Sequence, residues 1–172
     1  MSKAFTRESD DAPDELPARS YGAELPDGAP NYMTAAGAAR QRDELDRLTR
    51  VARPALLAAA DPRALHELDR RIAFLRRRVE AVEVVDPASQ PPGVALFGAT
   101  IGLRDEDGEE RRCRIVGVDE ANPARGDVSW VSPLAKALLG ARVGEVVTVR
   151  SPRGDEEIEV LEIGYLGEGD QR

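Results

Sequence analysis

The sequence has a single cysteine, Cys113, and a single histidine, His66, among its 172 residues. One cysteine excludes an intramolecular disulfide, and one residue of each type excludes a metal site built from several cysteines and histidines. A reducing cytoplasm is therefore the expected setting. No apolar run reaches the length of a signal peptide or of a membrane-spanning helix, so we expect no membrane segment.

Aromatic residues are also scarce, at 4% of the chain, so the core must be built mainly from aliphatic side chains. The net charge of −8 is spread unevenly: residues 1–33 carry 3 basic and 7 acidic side chains, residues 34–86 carry 11 and 9, and residues 87–172 carry 10 and 16. This balance argues against broad non-specific DNA binding, which requires basic surface to displace counterions from phosphates.

The two ends of the chain show no hydrophobic period. Residues 1–31 mix Asp, Glu, Pro and Gly, and such a segment cannot bury enough apolar surface to offset its ordering entropy. We predict a disordered acidic tail there, with contact to a partner as the alternative. We also predict a short C-terminal tail at residues 167–172.

Residues 32–86 predict an antiparallel helical hairpin, a short coiled coil. Thr34 is a candidate N-cap, and helix-forming residues continue to about Ala60, although Pro54 predicts a kink or a break. Pro62 ends the first helix and begins the second. Apolar residues then recur every three or four positions, which is the spacing of a coiled-coil seam: Leu65, Leu68, Ile72, Leu75, Val79 and Val82.

A Pro-rich linker at residues 87–93 marks a domain boundary, and β-branched residues dominate residues 94–166. We predict an antiparallel sheet with a hairpin turn at Asp105–Gly108, and therefore an α+β fold. The predicted strands are Val94–Leu103, Arg112–Val118, Val128–Val131, Glu145–Arg150 and Glu157–Tyr165.

One short helix interrupts these strands. Ser132 can cap its free N–H groups, and Pro133 suits its first position because proline has a fixed φ and no amide hydrogen. Leu134, Leu138 and Leu139 share one face, and Gly140 ends the helix. Taken alone, this helix closes one end of a small β-domain.

The segment from Ser129 to Glu145 also resembles a family signature. Its pattern Ser-x-x-Ser-Pro-aliphatic-small-x-small-aliphatic-aliphatic, followed by Gly and an acidic residue, is similar to the C-terminal signature of the bacterial Gre transcription elongation factors. The resemblance extends over residues 32–166, with GreB as the nearer branch. Further local matches are Tyr32–Gly37, Glu67–Leu75, Phe97–Thr100 and Arg114–Glu120.

This resemblance implies an FKBP-like C-terminal domain and a monomeric accessory factor, not an enzyme in its own right. The implied partner is RNA polymerase, bound at the rim of its secondary channel through Ser132, Pro133, Leu134 and Lys136, with the transcribing DNA and RNA contacted indirectly. Family members that stimulate transcript cleavage carry paired carboxylates at the hairpin tip. These help to hold a second Mg²⁺ at the polymerase active centre.

The tip of this chain departs from that pattern, because Asp61 is its only acidic residue and the hairpin is several turns shorter. An Asp directly before Pro62 is typical of an N-cap, and the neighbouring Arg63 opposes a metal's charge. We expect no metal or cofactor of its own, no catalytic residue beyond the weak candidate Asp61, and regulation of elongation by steric or competitive action. Stimulation of transcript cleavage is the alternative.

The second helix carries a run of arginines, Arg70, Arg71, Arg76, Arg77 and Arg78. They form either a solvated face with helical ion pairs or a contact with polymerase or nucleic acid. His66 is expected to be a solvated helix residue.

Two other classes of function stay open. An FKBP-like prolyl isomerase or chaperone needs an aromatic pocket, for which this domain offers only Phe97, Trp130 and Tyr165. The second class is a structural hairpin module that binds an unrelated partner.

Overall fold

The computed structural model describes residues 25–151 and 154–165. The predicted acidic tail lies outside these ranges up to residue 24, as does the predicted C-terminal tail. Residues 26–29 form a turn closed by a hydrogen bond from Ala29 N to Pro26 O of 2.9 Å. Asn31, the last residue of the predicted tail, is buried and begins the first strand.

The first half of the fold is helical, framed by two short strands that pair in parallel. Its elements are β1 (Asn31–Met33), α1 (Ala35–Arg47), α2 (Arg53–Ala58), α3 (Pro62–Glu80) and β2 (Val82–Val84). Thr34 caps α1, as predicted, by accepting a hydrogen bond from Gly37 N at 3.0 Å. We call the segments 35–58 and 62–80 the helical pair.

Pro54 alters the first helical segment without breaking it. A π-helical turn, Leu48–Ala52, joins α1 directly to α2, and Pro54 lies in the first turn of α2. Proline has no N–H to donate, and its ring crowds the carbonyl four residues earlier. A wider turn absorbs that conflict, so the chain stays helical from Ala35 to Ala58.

Contacts between the helical segments bury a thin apolar seam. Leu48 and Ile72 are almost fully buried, and Leu65, Leu68 and Leu75 are half-buried. One apolar stripe per helix is all that two helices can bury against each other. None of the helices in the described ranges is long and apolar enough to span a membrane.

The second half is a five-stranded sheet. Its strands are β3 (Thr100–Asp105), β4 (Glu110–Val116), β5 (Asp127–Ser129), β6 (Val146–Ser151) and β7 (Gly154–Gly164), in the order β5-β4-β3-β7-β6. The prediction of a wholly antiparallel sheet is wrong for one pair, because β4 and β5 run parallel. Two 3-10 turns, Val118–Glu120 and Pro123–Arg125, carry the chain back before β5 starts.

The predicted strand from Val94 is also too long. Residues 94–99 lie outside the strand, with a single bridge from Val94 to Arg142. Gly98 adopts a φ of +86°, which ends the extended run, and β3 begins only at Thr100. A short helix, α4 (Pro133–Leu138), packs against β6.

The main core lies between the inner face of the sheet and α4. Fully buried aliphatic side chains fill it: Ile101, Leu103, Ile115, Leu138, Ile158 and Val160. The molecule is thus a mixed α+β fold with one long helix, α3, and a curled sheet.

Candidate functional site

The surface around α4 holds the residues of the signature segment. Ser132 caps the helix, since its Oγ accepts a hydrogen bond from Ala135 N at 3.2 Å. Ala135 and Leu138 are fully buried, and Leu134 is half-buried against the core. Pro133 and Lys136 are exposed. The apolar residues of the signature therefore anchor α4, and Pro133 and Lys136 are left on the surface.

Apolar side chains continue this surface beyond α4. Leu139, Val143 and Val146 are 36%, 55% and 59% exposed, and Val146 opens β6, the edge strand that packs against α4. Sequence reasoning placed Leu139 on one face with Leu134 and Leu138, and it did not single out Val143 or Val146. Nothing in the local pattern of Val146 separates it from the buried Val149 of the same strand.

Asp61 lies at the tip of the helical pair and is exposed. Its Oδ1 accepts a hydrogen bond from Ala64 N at 3.0 Å, so it is the N-cap of α3, as its position before Pro62 predicts. Within the described residues, no group of three or more His, Cys, Asp or Glu side chains is arranged to hold a metal ion. A single carboxylate that already caps a helix does not fit a Mg²⁺ site, which takes several oxygen ligands.

The arginines of α3 have different environments. Arg70 and Arg77 are exposed, and Arg71 pairs with Glu44 of α1 at 3.0 Å. The Arg78 side chain is only 12% exposed, and its guanidinium donates two hydrogen bonds to Asp119, at 2.7 and 2.9 Å. Arg78 therefore does not belong to an exposed basic face. It joins the helical pair to the sheet half of the fold.

A second polar connection, centred on Glu120, lies beside the Arg78–Asp119 pair. The Glu120 carboxylate is buried and accepts hydrogen bonds from Thr34 N at 2.9 Å, from the Thr34 hydroxyl and from Gly117 N at 3.1 Å. Arg40 lies 3.5 Å away. We call these four residues, together with Arg78 and Asp119, the junction. It fixes the start of α1 against the turn that follows β4.

Two glycines make this approach possible. A Cβ on Gly37 would lie 2.1 Å from Glu120 Oε1, and one on Gly117 would lie 2.5 Å from the carbonyl oxygen of Tyr32. A Cβ on Gly37 would displace the Glu120 carboxylate, and one on Gly117 would collide with the backbone of Tyr32. The role of Gly37 is therefore to let α1 approach Glu120, and the sequence alone does not reveal it.

The aromatic residues do not line an open pocket. The Tyr32 ring of β1 packs against Phe97 and Trp130, with centroid distances of 5.9 and 5.4 Å. The Tyr165 hydroxyl donates to Val94 O at 2.6 Å and accepts from Leu96 N at 3.1 Å. Burial raises the pKa of Tyr165. All three aromatics considered for an isomerase pocket are thus engaged in packing or in structural hydrogen bonds.

A hydrogen bond and burial shift the pKa values of Asp69 and Cys113, respectively. The hydrogen bond from Arg53, which joins α2 to α3, lowers the pKa of Asp69. Burial raises the pKa of the Cys113 thiol to about 11, so this thiol is protonated and unreactive at neutral pH. His66 is exposed on α3, as predicted. Arg53 holds the Asp69 carboxylate, and the Cys113 thiol is buried, so neither is placed for acid–base or nucleophilic chemistry.

The comparisons with known proteins decide the family. Residues 90–165 match the family model described as "Transcription elongation factor, GreA/GreB, C-term". The transcription elongation factor GreB of Neisseria meningitidis serogroup B is 39% identical over 154 residues, covering 79% of this chain and 94% of that protein. The chain belongs to the GreA/GreB family.

A second GreB shows the same extent of similarity, and a solved structure matches at lower identity. GreB of Pseudomonas aeruginosa is 39% identical over 150 residues, covering 77% of this chain and 89% of that protein. Among solved structures, GreA factor homolog 1 (Gfh1) of Thermus thermophilus matches at 26% identity, with coverage of 79% and 99% and a TM-score of 0.38.

The extent of these matches carries one structural consequence. The match to Neisseria GreB has an aligned length of 154 residues. It includes 79% of the 172 residues of this chain, and that share amounts to fewer than 154 residues. The relative therefore has positions without a counterpart in this GreA/GreB-family chain. The region matched by the family model contains α4 and Glu120, whereas the helical pair precedes it.

Proposed function

We propose that this chain binds RNA polymerase and regulates transcription elongation by steric or competitive action, without stimulating transcript cleavage. The observation that carries the proposal is the tip, where the one carboxylate, Asp61, caps α3 beside Arg63. An accessory factor that helps to place a metal ion needs more oxygen ligands than this.

In this proposal, the helical pair is an antiparallel hairpin that enters the mouth of the polymerase secondary channel. Ion pairs between its segments support this arrangement, since Arg53 near the tip pairs with Asp69 at 2.7 Å and the earlier Glu44 pairs with the later Arg71. The 19 residues of α3 span about 28 Å at 1.5 Å per residue. We infer that the positions which GreB has and this chain lacks fall in the hairpin, which makes it too short to reach the active centre.

The sheet half of the fold, in this proposal an FKBP-like domain, supplies the binding surface. Pro133 and Lys136 are exposed on α4, and Ser132 and Leu134 hold that helix in place. The exposed Val143 and Val146 extend the same surface with apolar area. A patch that mixes one cation with apolar side chains suits a protein partner better than a nucleic acid.

The remaining attributes follow from this function. We infer a cytoplasmic monomer that is not itself an enzyme, has no cofactor of its own and contacts DNA and RNA only through the polymerase. An FKBP-like isomerase activity receives no support, because Tyr32 covers Phe97 and Trp130.

The test uses backtracked elongation complexes of the cognate RNA polymerase, with transcript shortening followed on a gel. The full chain is compared with Asp61→Asn, which removes the charge but keeps an N-cap, and with Asp61→Ala, which removes both. We expect no cleavage from any of the three, and we expect the full chain to slow cleavage by a competent Gre factor.

Two outcomes contradict the proposal in different ways. Rapid cleavage that Asp61→Asn abolishes would identify a cleavage stimulator whose carboxylate reaches the metal. Failure of the full chain to bind polymerase or to compete, in an assay where Neisseria GreB succeeds, would remove the polymerase as a partner.

A further inference from the structure

The ring of Tyr32 in β1 packs against two aromatic residues of the other half of the fold. Successive residues of a strand point to opposite faces, and the buried Asn31 faces the helical pair, where it donates to Arg78 O at 3.0 Å. The half-buried Tyr32 ring lies on the opposite face of β1, against Phe97 and Trp130. We call Phe97 and Trp130 the aromatic site.

The aromatic site contains a buried donor that Tyr32 does not satisfy. The indole Nε1 of Trp130 is buried and has no hydrogen-bond partner among the residues that the structure describes. This nitrogen can only donate, and a buried donor that stays unpaired costs free energy. The Tyr32 ring covers the site with apolar area but provides no acceptor for this N–H. Tyr32 therefore fits the shape of the site without completing its hydrogen bonding.

The aromatic site can open while β1 stays in place. The backbone of β1 is held by its pairing with β2 and by the hydrogen bonds of Thr34 to Glu120, which follow directly in the chain. The Tyr32 side chain, in contrast, is only half-buried. A change of its side-chain rotamer is therefore enough to uncover Phe97 and Trp130.

A ligand that replaces the Tyr32 ring needs an aromatic ring and, close to it, a carbonyl oxygen that accepts from Trp130 Nε1. An aromatic residue in an extended protein segment has both groups, and aromatic residues are enriched in protein interfaces. A nucleic acid base fits less well for two reasons. The rings of the site meet Tyr32 at 60° and 56°, whereas a bound base stacks face to face. Residues 87–172 also carry 16 acidic and only 10 basic side chains, which disfavours phosphate.

We propose that Phe97 and Trp130 form a binding site for an aromatic residue of a protein partner, and that the Tyr32 ring occupies this site in the free protein. The partner's aromatic side chain displaces the Tyr32 ring, and a carbonyl oxygen beside it accepts from Trp130 Nε1. Because Tyr32 competes for the same position, only the fraction of molecules with the ring displaced can bind, and the native chain binds weakly. The proposal concerns the protein alone and does not depend on polymerase binding.

The first test measures binding of N-acetyl-tyrosinamide, which has the required ring and carbonyl groups, to the full chain. The variant Tyr32→Val removes the ring and keeps a β-branched residue in β1. The matched control, Tyr32→Phe, keeps a ring over the site. Trp130 is the only tryptophan, so the single indole N–H resonance reports on the site by NMR. We expect Tyr32→Val to bind the probe about tenfold more tightly than the native chain and Tyr32→Phe, with a downfield shift of the indole proton.

A second probe, 4-methylphenol, has the ring without the carbonyl groups. It should bind Tyr32→Val about tenfold more weakly than N-acetyl-tyrosinamide does, because the hydrogen bond from Trp130 Nε1 is missing. Equal affinities for the two probes would remove this N–H from the site. Equal affinities of Tyr32→Val and the native chain for N-acetyl-tyrosinamide would show that Tyr32 does not block it. Preference of Tyr32→Val for uridine monophosphate would assign the site to nucleic acid. Each of these three results would overturn the proposal.

A third measurement uses the native chain and does not require Tyr32→Val to fold. At a saturating concentration, N-acetyl-tyrosinamide should displace the Tyr32 ring. Nuclear Overhauser contacts between the Tyr32 ring protons and the Trp130 indole, which the 5.4 Å centroid distance predicts in the free protein, should then disappear. Persistence of these contacts at saturation, or no binding of the probe to the native chain or to Tyr32→Val, would overturn the proposal.

Discussion

Replacing Gly37 by alanine should lower the free energy of unfolding, although helix propensity alone predicts a gain. Alanine in place of a helical glycine stabilises by up to about 1 kcal/mol. Here, however, the new Cβ would lie 2.1 Å from Glu120 Oε1 and 2.3 Å from its Cδ. The carboxylate must then withdraw and lose its two hydrogen bonds from Thr34. Hydrogen bonds to a charged group are worth about 1.5–3 kcal/mol each, so we expect a net destabilisation of about 3 kcal/mol.

Urea unfolding followed by circular dichroism measures this change directly. Fluorescence of Trp130, the only tryptophan, offers a second probe, because Trp130 packs against Tyr32 next to the junction. The control is Gly37→Ala in a Glu120→Ala background, where no carboxylate remains to collide and the methyl group should cost nothing. An unchanged or higher midpoint for Gly37→Ala alone would refute the proposed close approach of α1 to Glu120.

Two further predictions concern backbone strain and pH. Ala60, which follows α2, adopts a φ of +53°, a value that favours glycine, so Ala60→Gly should raise the free energy of unfolding by about 1 kcal/mol. The control is Ala59→Gly, because Ala59 has a φ of −75° and should gain nothing from glycine. Thermal melts of the two variants measure the difference. Burial raises the pKa of Cys113 from 9.0 to about 11, so the thiol holds its proton more tightly in the folded state than in the unfolded state. The stability that depends on the protonated thiol should therefore be complete below pH 9 and decline as the pH rises towards 11. A thiol reagent should label Cys113 at pH 8 only after denaturant is added, and labelling of the native protein at the rate of a free thiol would contradict its burial.

Local features of the fold could be predicted because their signals lie within a few residues. Thr34, Asp61 and Ser132 each precede a helix, and each accepts a hydrogen bond from the N–H three residues later. Gly108 lies in the turn between β3 and β4 that the acidic run predicts. The parallel pairing of β4 and β5 carries no such signal, because it depends on how two 3-10 turns redirect the chain.

The junction could not be predicted for a related reason. Thr34 and Glu120 are 86 residues apart, and Arg78 and Asp119 are 41 apart. In the sequence, Asp119 and Glu120 are two more acids in an acidic half, and Arg78 is one more cation in a basic run. Only folding shows that these charges neutralise one another inside the molecule. The five arginines of the predicted basic face thus separate into those that hold the fold together and those that face solvent.

This separation bears on how a short helical pair can act on a partner. On the proposed function, a tip without paired carboxylates contributes little chemistry, so the effect of the helical pair on the polymerase depends on where the pair points. The direction is held by buried polar contacts, the carboxylate of Glu120 and the ion pair of Arg78 with Asp119, together with the packing of Tyr32 against Phe97 and Trp130. The polar contacts are directional and weaken sharply when one partner is removed. On the proposed function, substitutions at the junction should therefore impair competition with a longer Gre factor while leaving α4, the proposed binding surface, intact.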